Sequence, residues 1–323
     1  CDELAKRIAG LFMRFGKSIL KNLPIFSELS RLSLKKSIFY ASTLFGILMF
    51  IFSGLITRGH SFYNLFSSDK KDYFMDFFNV LQNLFNGPYT HNSIYPPLPL
   101  LMYRSLLRLI PYDIAGKDPS VIRATQSGEI VFLLYMLITL LLFFVLIMEI
   151  KKGSRIEKYI FTFVMLFSAP FIFQFERANI IFVALLFLMI FVFFKDSKNR
   201  IIREIALISL AISGAIKFYP ALFGLLLIKD RRYKDFFKVF IYGLALFIFP
   251  FFAVGGLSQI TLLYKNIFST SNYVANQGLG YAVNIQNTIR IIFAFFGDFG
   301  NNPIIIGRVF SLVILVLGLI SAF

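Results

Sequence analysis

Long apolar runs separated by short polar stretches dominate the chain, and their length, more than any periodicity, predicts its structure. The runs EIVFLLYMLITLLLFFVLIMEI (129–150) and KDFFKVFIYGLALFIFPFFAVGG (234–256) each supply the roughly 20 apolar residues a helix needs to cross a bilayer. In lipid the backbone must satisfy its own hydrogen bonds, which leaves helices or closed barrels. These runs lack the period-two alternation of barrel strands. The pattern predicts an all-α, polytopic transmembrane helical bundle.

Spans are expected at about 37–57, 129–150, 158–174, 179–194, 204–216, 218–228, 236–254 and 304–323. The segments 204–216 and 218–228 are short for single crossings. They read as two half-length or strongly tilted helices meeting at Lys217-Phe218-Tyr219-Pro220, where Pro220 breaks the hydrogen-bond ladder. Such a break is tolerated in a membrane where it is buried in protein or lines a wet cavity. The stretch 58–127 is too long to be a bare connector, and an interfacial amphipathic helix is expected over 97–110. A second one is expected near 285–296, within a long loop at 256–303. No internal repeat is visible.

Composition agrees: 58% of residues are hydrophobic, 15% are charged and mean hydropathy is +0.75. The net charge of +16 would suit nucleic acid, but the basic residues sit beside apolar spans, as cytoplasmic anchors do. No nucleic-acid partner is expected. Residues 1–36 place Leu4, Ile8, Leu11, Phe12, Phe15 and Ile19 among Lys and Arg, the pattern of a basic amphipathic segment on the cytoplasmic membrane surface. Residues 37–323 are then the membrane domain. The single cysteine, Cys1, excludes an intrachain disulfide framework. The chain begins without Met and stops inside an apolar run, so further spans are expected beyond it.

Charge also orients the spans. Lys35 and Lys36, the cluster Lys151 to Lys158, the cluster Lys195 to Arg203 and the cluster Lys229 to Lys238 all fall on one side if span parity holds. The opposite, outer side then collects the loop with Asp72 and Asp76, the turn Glu176-Arg177-Ala178-Asn179, the break at Lys217 to Pro220, and the 256–303 loop. Ionisable residues at a membrane boundary are costly and usually functional, so an outward-facing site is expected there.

These residues are also familiar as a set. An Asp-bearing outer loop, a helix ending at Gly87, and then Tyr95-Pro96-Pro97 resembles the GT-C superfamily of polyprenyl-phosphate-sugar-dependent glycosyltransferases. Within it the pattern is most similar to glycosyltransferase family 87, the alpha-mannosyltransferase-like group. Glu176-Arg177-Ala178-Asn179 is similar to that family's Arg-Gly-Asn type turn, with Ala178 standing where the family often has Gly. Lys217-Phe218-Tyr219-Pro220 followed by a basic cluster is similar to its Lys-x-x-Pro break. The resemblance spans roughly 40–320, and two aspartates compete for the family's single catalytic position. Counting back from Gly87, Asp72 fits slightly better.

The resemblance implies transfer of a hexose, mannose for instance, from a polyprenyl-phosphate carrier to a glycolipid or polysaccharide at the outer face of a bacterial membrane. It also implies inversion at the anomeric carbon, with an Asp base. A partly desolvated carboxylate makes a better base, and residues four apart share a helical face, so Asp72 and Asp76 are the catalytic candidates. Mutual repulsion of the pair is expected to favour one protonated form. Arg177 and Lys217 are expected to hold the leaving phosphate, with a Glu176 pairing as the simpler reading of Arg177.

Glu176, Asn179, Tyr219 and His91 join as substrate-side candidates, and Tyr89 and Tyr95 as rings on which a sugar could stack. Asn276, Gln277, Asn284 and Asn287 are further amides in the last outer loop. No cofactor is expected, although one Asp with the phosphate offers a place for a divalent ion. A secondary transporter or flippase is the rival reading, and it would need an internal repeat and mid-membrane charges.

Overall fold

The computed structural model describes residues 34–59, 72–90, 93–150, 153–276, 285–295 and 302–322. It divides into two compact units, Cys1–Ser68 and Asp69–Phe323. The described part of the first is one apolar helix, α1 (Leu34–Ile56), whose Thr43 hydroxyl donates back to the Phe39 carbonyl at 2.9 Å. The expected amphipathic segment before it lies outside the described residues.

The second unit runs through α2 (Met75–Asn86), α3 (Pro97–Leu107), the short helices α4 (Tyr112–Ala115) and α5 (Pro119–Arg123), and the long α6 (Gln126–Ile150). It continues through α7 (Arg155–Leu166), α8 (Ala169–Arg177), α9 (Ile181–Phe194) and α10 (Arg200–Ile216). A 3-10 helix (Tyr219–Gly224) leads into α11 (Leu225–Lys229), then α12 (Tyr233–Ala253), α13 (Gln259–Asn276), α14 (Ile285–Phe295) and α15 (Asn302–Ala322). The described residues contain no strand. Among them three helices are long and apolar enough to cross a membrane: Ser37–Ile56, Gln126–Glu149 and Tyr233–Ala253.

The structure adds detail to three expectations. The span expected at 158–174 is two helices, α7 and α8, bent by 60°. The cause is local: Pro170 has no N–H to give the Leu166 carbonyl, and both the N–H (3.2 Å) and the hydroxyl (2.7 Å) of Ser168 donate to the Met165 carbonyl. The 256–303 stretch holds the expected α14 and also the 18-residue α13. The helix at 97–107 is present, with Pro97, Pro99, Leu100 and Tyr103 buried on one face and Leu101, Arg104 and Ser105 exposed on the other.

The chain breaks at Lys217 as expected, but α10 before it runs 17 residues and the segment after it is a 3-10 helix followed by the five-residue α11, not two half-length helices. α10 is lined by small buried residues, Ala206, Ser209, Ala211, Ser213 and Ala215, which let α9 approach closely. The buried Ser213 hydroxyl donates to the Ala184 carbonyl of α9 at 2.7 Å. Lys217 is extended (φ −141°, ψ 135°), and the chain then returns along α10. A Cβ on Gly214 would stand 3.1 Å from that of Ala221, so a larger residue there would push the returning segment away.

The far ends meet in an ion-pair network. Lys195 lies 2.8 Å from Asp230, Arg232 donates to the Lys195 carbonyl at 2.8 Å, and Lys238 reaches Glu204 at 2.7 Å. The turn after α9 and the turn after α11 therefore share one end of the bundle. Asn179, at the start of α9, and Lys217, at the end of α10, lie at the other.

Candidate active site

Two left-handed turns build this opposite end. Phe74, just before α2, has φ 62°, and Ala178, just after α8, has φ 52°. Each reverses its chain without glycine, and the Phe74 N–H donates to the Glu176 carbonyl at 2.7 Å, so the two turns dock edge to edge. Burial holds both: the Phe74 ring packs 4.3 Å from that of Phe132, and Ala178 is 1% exposed. From the other side the Arg123 guanidinium donates to the Tyr73 carbonyl at 2.5 Å.

Docking the turns brings the expected charges together. Arg177 forks: Nη1 donates to Asp72 Oδ2, and Nη2 donates to Asp76 Oδ1 at 2.5 Å. Arg177 therefore pairs with the two aspartates and not with Glu176, which is buried and offers its backbone carbonyl to Phe74. The aspartates do not share a helical face. Asp72 lies before the helix and Asp76 in its first turn, with the left-handed Phe74 between them. They converge because the turn aims both at one guanidinium, which offsets the repulsion expected between them.

Asn179 completes the setting. Its Nδ2 donates to Asp76 Oδ2 at 2.7 Å and to the Tyr95 hydroxyl at 3.2 Å, while its Oδ1 accepts from the Ile181 N–H at 3.0 Å as α9 begins. The Lys217 ammonium sits 4.5 Å from the centre of the Tyr95 ring, where a cation is attracted by the ring's negative face, and it feels the charge of Asp76. Burial, with the Asp76 charge adding to it, pushes the Tyr95 phenol above its ordinary range, so Tyr95 is neutral and serves as a polar platform.

The two aspartates differ. The Asp76 side chain is 19% exposed, has both oxygens engaged, and lies at a helix N-terminus that favours the anion. The Asp72 side chain is 44% exposed and is bound by Arg177 alone among the described residues.

Other candidates separate from this cluster. Tyr89 is 2% exposed and its hydroxyl donates to the Tyr95 carbonyl at 3.2 Å, so it props the loop and offers no open ring to a sugar. Tyr219 is half exposed in the 3-10 helix and enters none of these hydrogen bonds. His91 lies outside the described residues, as do Gln277, Asn284 and the side chains of Asn276 and Asn287. Among the described residues no group of three or more His, Cys, Asp or Glu side chains is placed to hold a metal ion.

Sequence reading missed Asn266 on α13. Its buried amide donates to the Tyr89 carbonyl at 2.9 Å and the Ser93 carbonyl at 3.0 Å, fixing the loop that delivers Tyr95. A lone Asn in a half-polar segment gives no signal of this.

Beside the polar cluster opens an apolar groove of about 830 Å³ between α3, α6, α9 and α10. Tyr103, Tyr135 and Ile180 line it near the cluster, and Val183, Ile190 and Phe194 continue it along α9. At about 1.5 Å per residue, α9 carries the groove some ~20 Å from the charged end toward the ion-pair end.

The model of glycosyltransferase family 87 matches residues 94–323, a stretch that includes Tyr95, Arg177, Asn179 and Lys217 and begins after the two aspartates. No curated protein and no solved structure matches the chain.

Proposed function

The chain belongs to glycosyltransferase family 87 and so is a membrane glycosyltransferase, and from that premise we propose that it moves a hexose from a polyprenyl-phosphate sugar to a glycolipid or polysaccharide. The observation that carries this reading is the groove. A long apolar channel beside a cluster of two cations and two carboxylates suits a ligand that is an isoprenoid chain at one end and a sugar phosphate at the other. Mannose is the first hexose to test. The basic clusters at the ion-pair end read as cytoplasmic, which supports a site at the outer face, of a bacterial membrane in this reading.

In this reading Asp72 is the base. It is the more exposed carboxylate and the less engaged one, whereas both oxygens of Asp76 are already occupied by Arg177 and Asn179. The acceptor hydroxyl oxygen bonds to the anomeric carbon as the bond from that carbon to the phosphate oxygen breaks. The phosphate leaves with the electron pair beside Lys217 and Arg177, and the hydroxyl proton passes to Asp72. Attack opposite the leaving phosphate inverts the anomeric centre. Tyr95 presents a neutral face and hydroxyl toward the sugar, with Asn179 beside it.

The test is a donor panel offered to membranes carrying the chain, read as labelled sugar transferred to lipid or polymer. Transfer from a polyprenyl-phosphate hexose and none from a nucleotide sugar supports the reading. The reverse pattern sinks it.

A further inference from the structure

Arg177 is held twice, and its two partners are not equivalent. Nη2 and Asp76 form part of a closed set, because Asp76 is also bound by Asn179, which is itself fixed by the Ile181 N–H and joined to Tyr95. Nη1 and Asp72 form an open end: Asp72 precedes the helix, is 44% exposed, and has Arg177 as its one partner among the described residues. A guanidinium carries five donors in a rigid fork, so it can exchange one partner while keeping another.

We infer that Asp76 is a positioning residue and not a second base: it anchors Arg177 by one arm while the other arm passes from Asp72 to the phosphate of the arriving donor. Two consequences follow from the geometry. Asp72 loses its cation as the phosphate gains one, so the base is freed only when donor is present. Asp72 also competes with the phosphate for the same N–H groups, whereas Asp76 keeps those groups in place for it. This rests on the polyprenyl-phosphate reading above.

The two aspartates therefore have opposite effects on binding of a lipid phosphate. Charge alone gives them the same effect, since removing either negative group beside an anion site should tighten it. The experiment is equilibrium binding of labelled undecaprenyl phosphate, which carries no sugar, to the full chain in nanodiscs, with gel filtration reporting fold. Asp72→Asn should bind about three- to tenfold tighter and Asp76→Asn about three- to tenfold weaker. In an Arg177→Ala background the Asp72→Asn gain should shrink to what charge alone supplies, because the competition runs through that guanidinium.

Should Asp76→Asn not fold, Asp76→Glu replaces it. That variant keeps the charge but moves the carboxylate, and weaker binding is again expected. Tighter binding in both Asn variants, or wild-type binding by the Asp76 variants, overturns the anchor role while leaving the donor reading intact. No saturable binding by the wild type overturns both.

Discussion

Arg177 Nη2 and Asp76 Oδ1 stand 2.5 Å apart although 101 residues separate them along the chain. That contact closes the turn after α8 onto the start of α2 and sets one cationic fork across two carboxylates. Lysine at 177 would keep the charge and lose the fork. Arg177→Lys should therefore lose about 10- to 100-fold in kcat/KM, the cost of one charged hydrogen bond, while protein yield is unchanged. Steady-state transfer assays check it.

Ala178 tests the turn itself. Its left-handed backbone costs roughly 1–2 kcal/mol relative to glycine, while burying its methyl contributes about 0.8 kcal/mol. The terms nearly cancel, so Ala178→Gly should change thermal stability little and keep activity. Ala178→Val adds a β-branched side chain at the same φ to a core position and should destabilise by about 2–4 kcal/mol. Melting of the purified variants distinguishes them.

The Tyr95 platform separates into ring and hydroxyl. Tyr95→Phe keeps the face beneath Lys217 and loses the bond from Asn179, and should cost about tenfold in kcat/KM. Tyr95→Ala removes both and should cost more. Because burial raises the phenol's pKa, the neutral form persists through ordinary assay pH, and any alkaline loss of activity below about pH 10 should survive in Tyr95→Phe. A pH profile that flattens in that variant would assign the ionisation to Tyr95.

The groove makes a prediction about chain length. Ile190 lies well along α9 from the charged end, so Ile190→Trp should obstruct only the distal part. KM for a long-chain polyprenyl donor should rise about three- to tenfold, while a donor with two isoprene units is unaffected. An equal effect on both donors would place the chain elsewhere.

Much of this was legible in the sequence because membranes impose length and charge rules that individual residues report directly. The runs at 129–150 and 234–256 announce their helices, and the basic clusters at 195–203 and 229–238 mark one end of the bundle, where Lys195 meets Asp230. Asp72, Asp76, Arg177, Asn179, Tyr95 and Lys217 were singled out by residue type and break position, and the fold gathers them. The partners were not legible. Periodicity put the two aspartates on one helical face, but a left-handed Phe74 joins them instead, and no local pattern marks a non-glycine residue for that conformation. Asn266 was invisible for a similar reason: its bonds to Tyr89 and Ser93 cross 177 and 173 residues and depend on α13, whose polar positions disguised a helix as a loop.

The most direct measurement is transfer of labelled mannose from a synthetic polyprenyl-phosphate-mannose to endogenous acceptor in membranes carrying the wild-type chain, Asp72→Asn or Asp76→Asn. With Asp72 as base, Asp72→Asn should lose about 10²- to 10⁴-fold in rate, and Asp76→Asn should lose less while needing more donor for half-saturation. Wild-type transfer by Asp72→Asn, at equal protein in the membrane, would contradict the account.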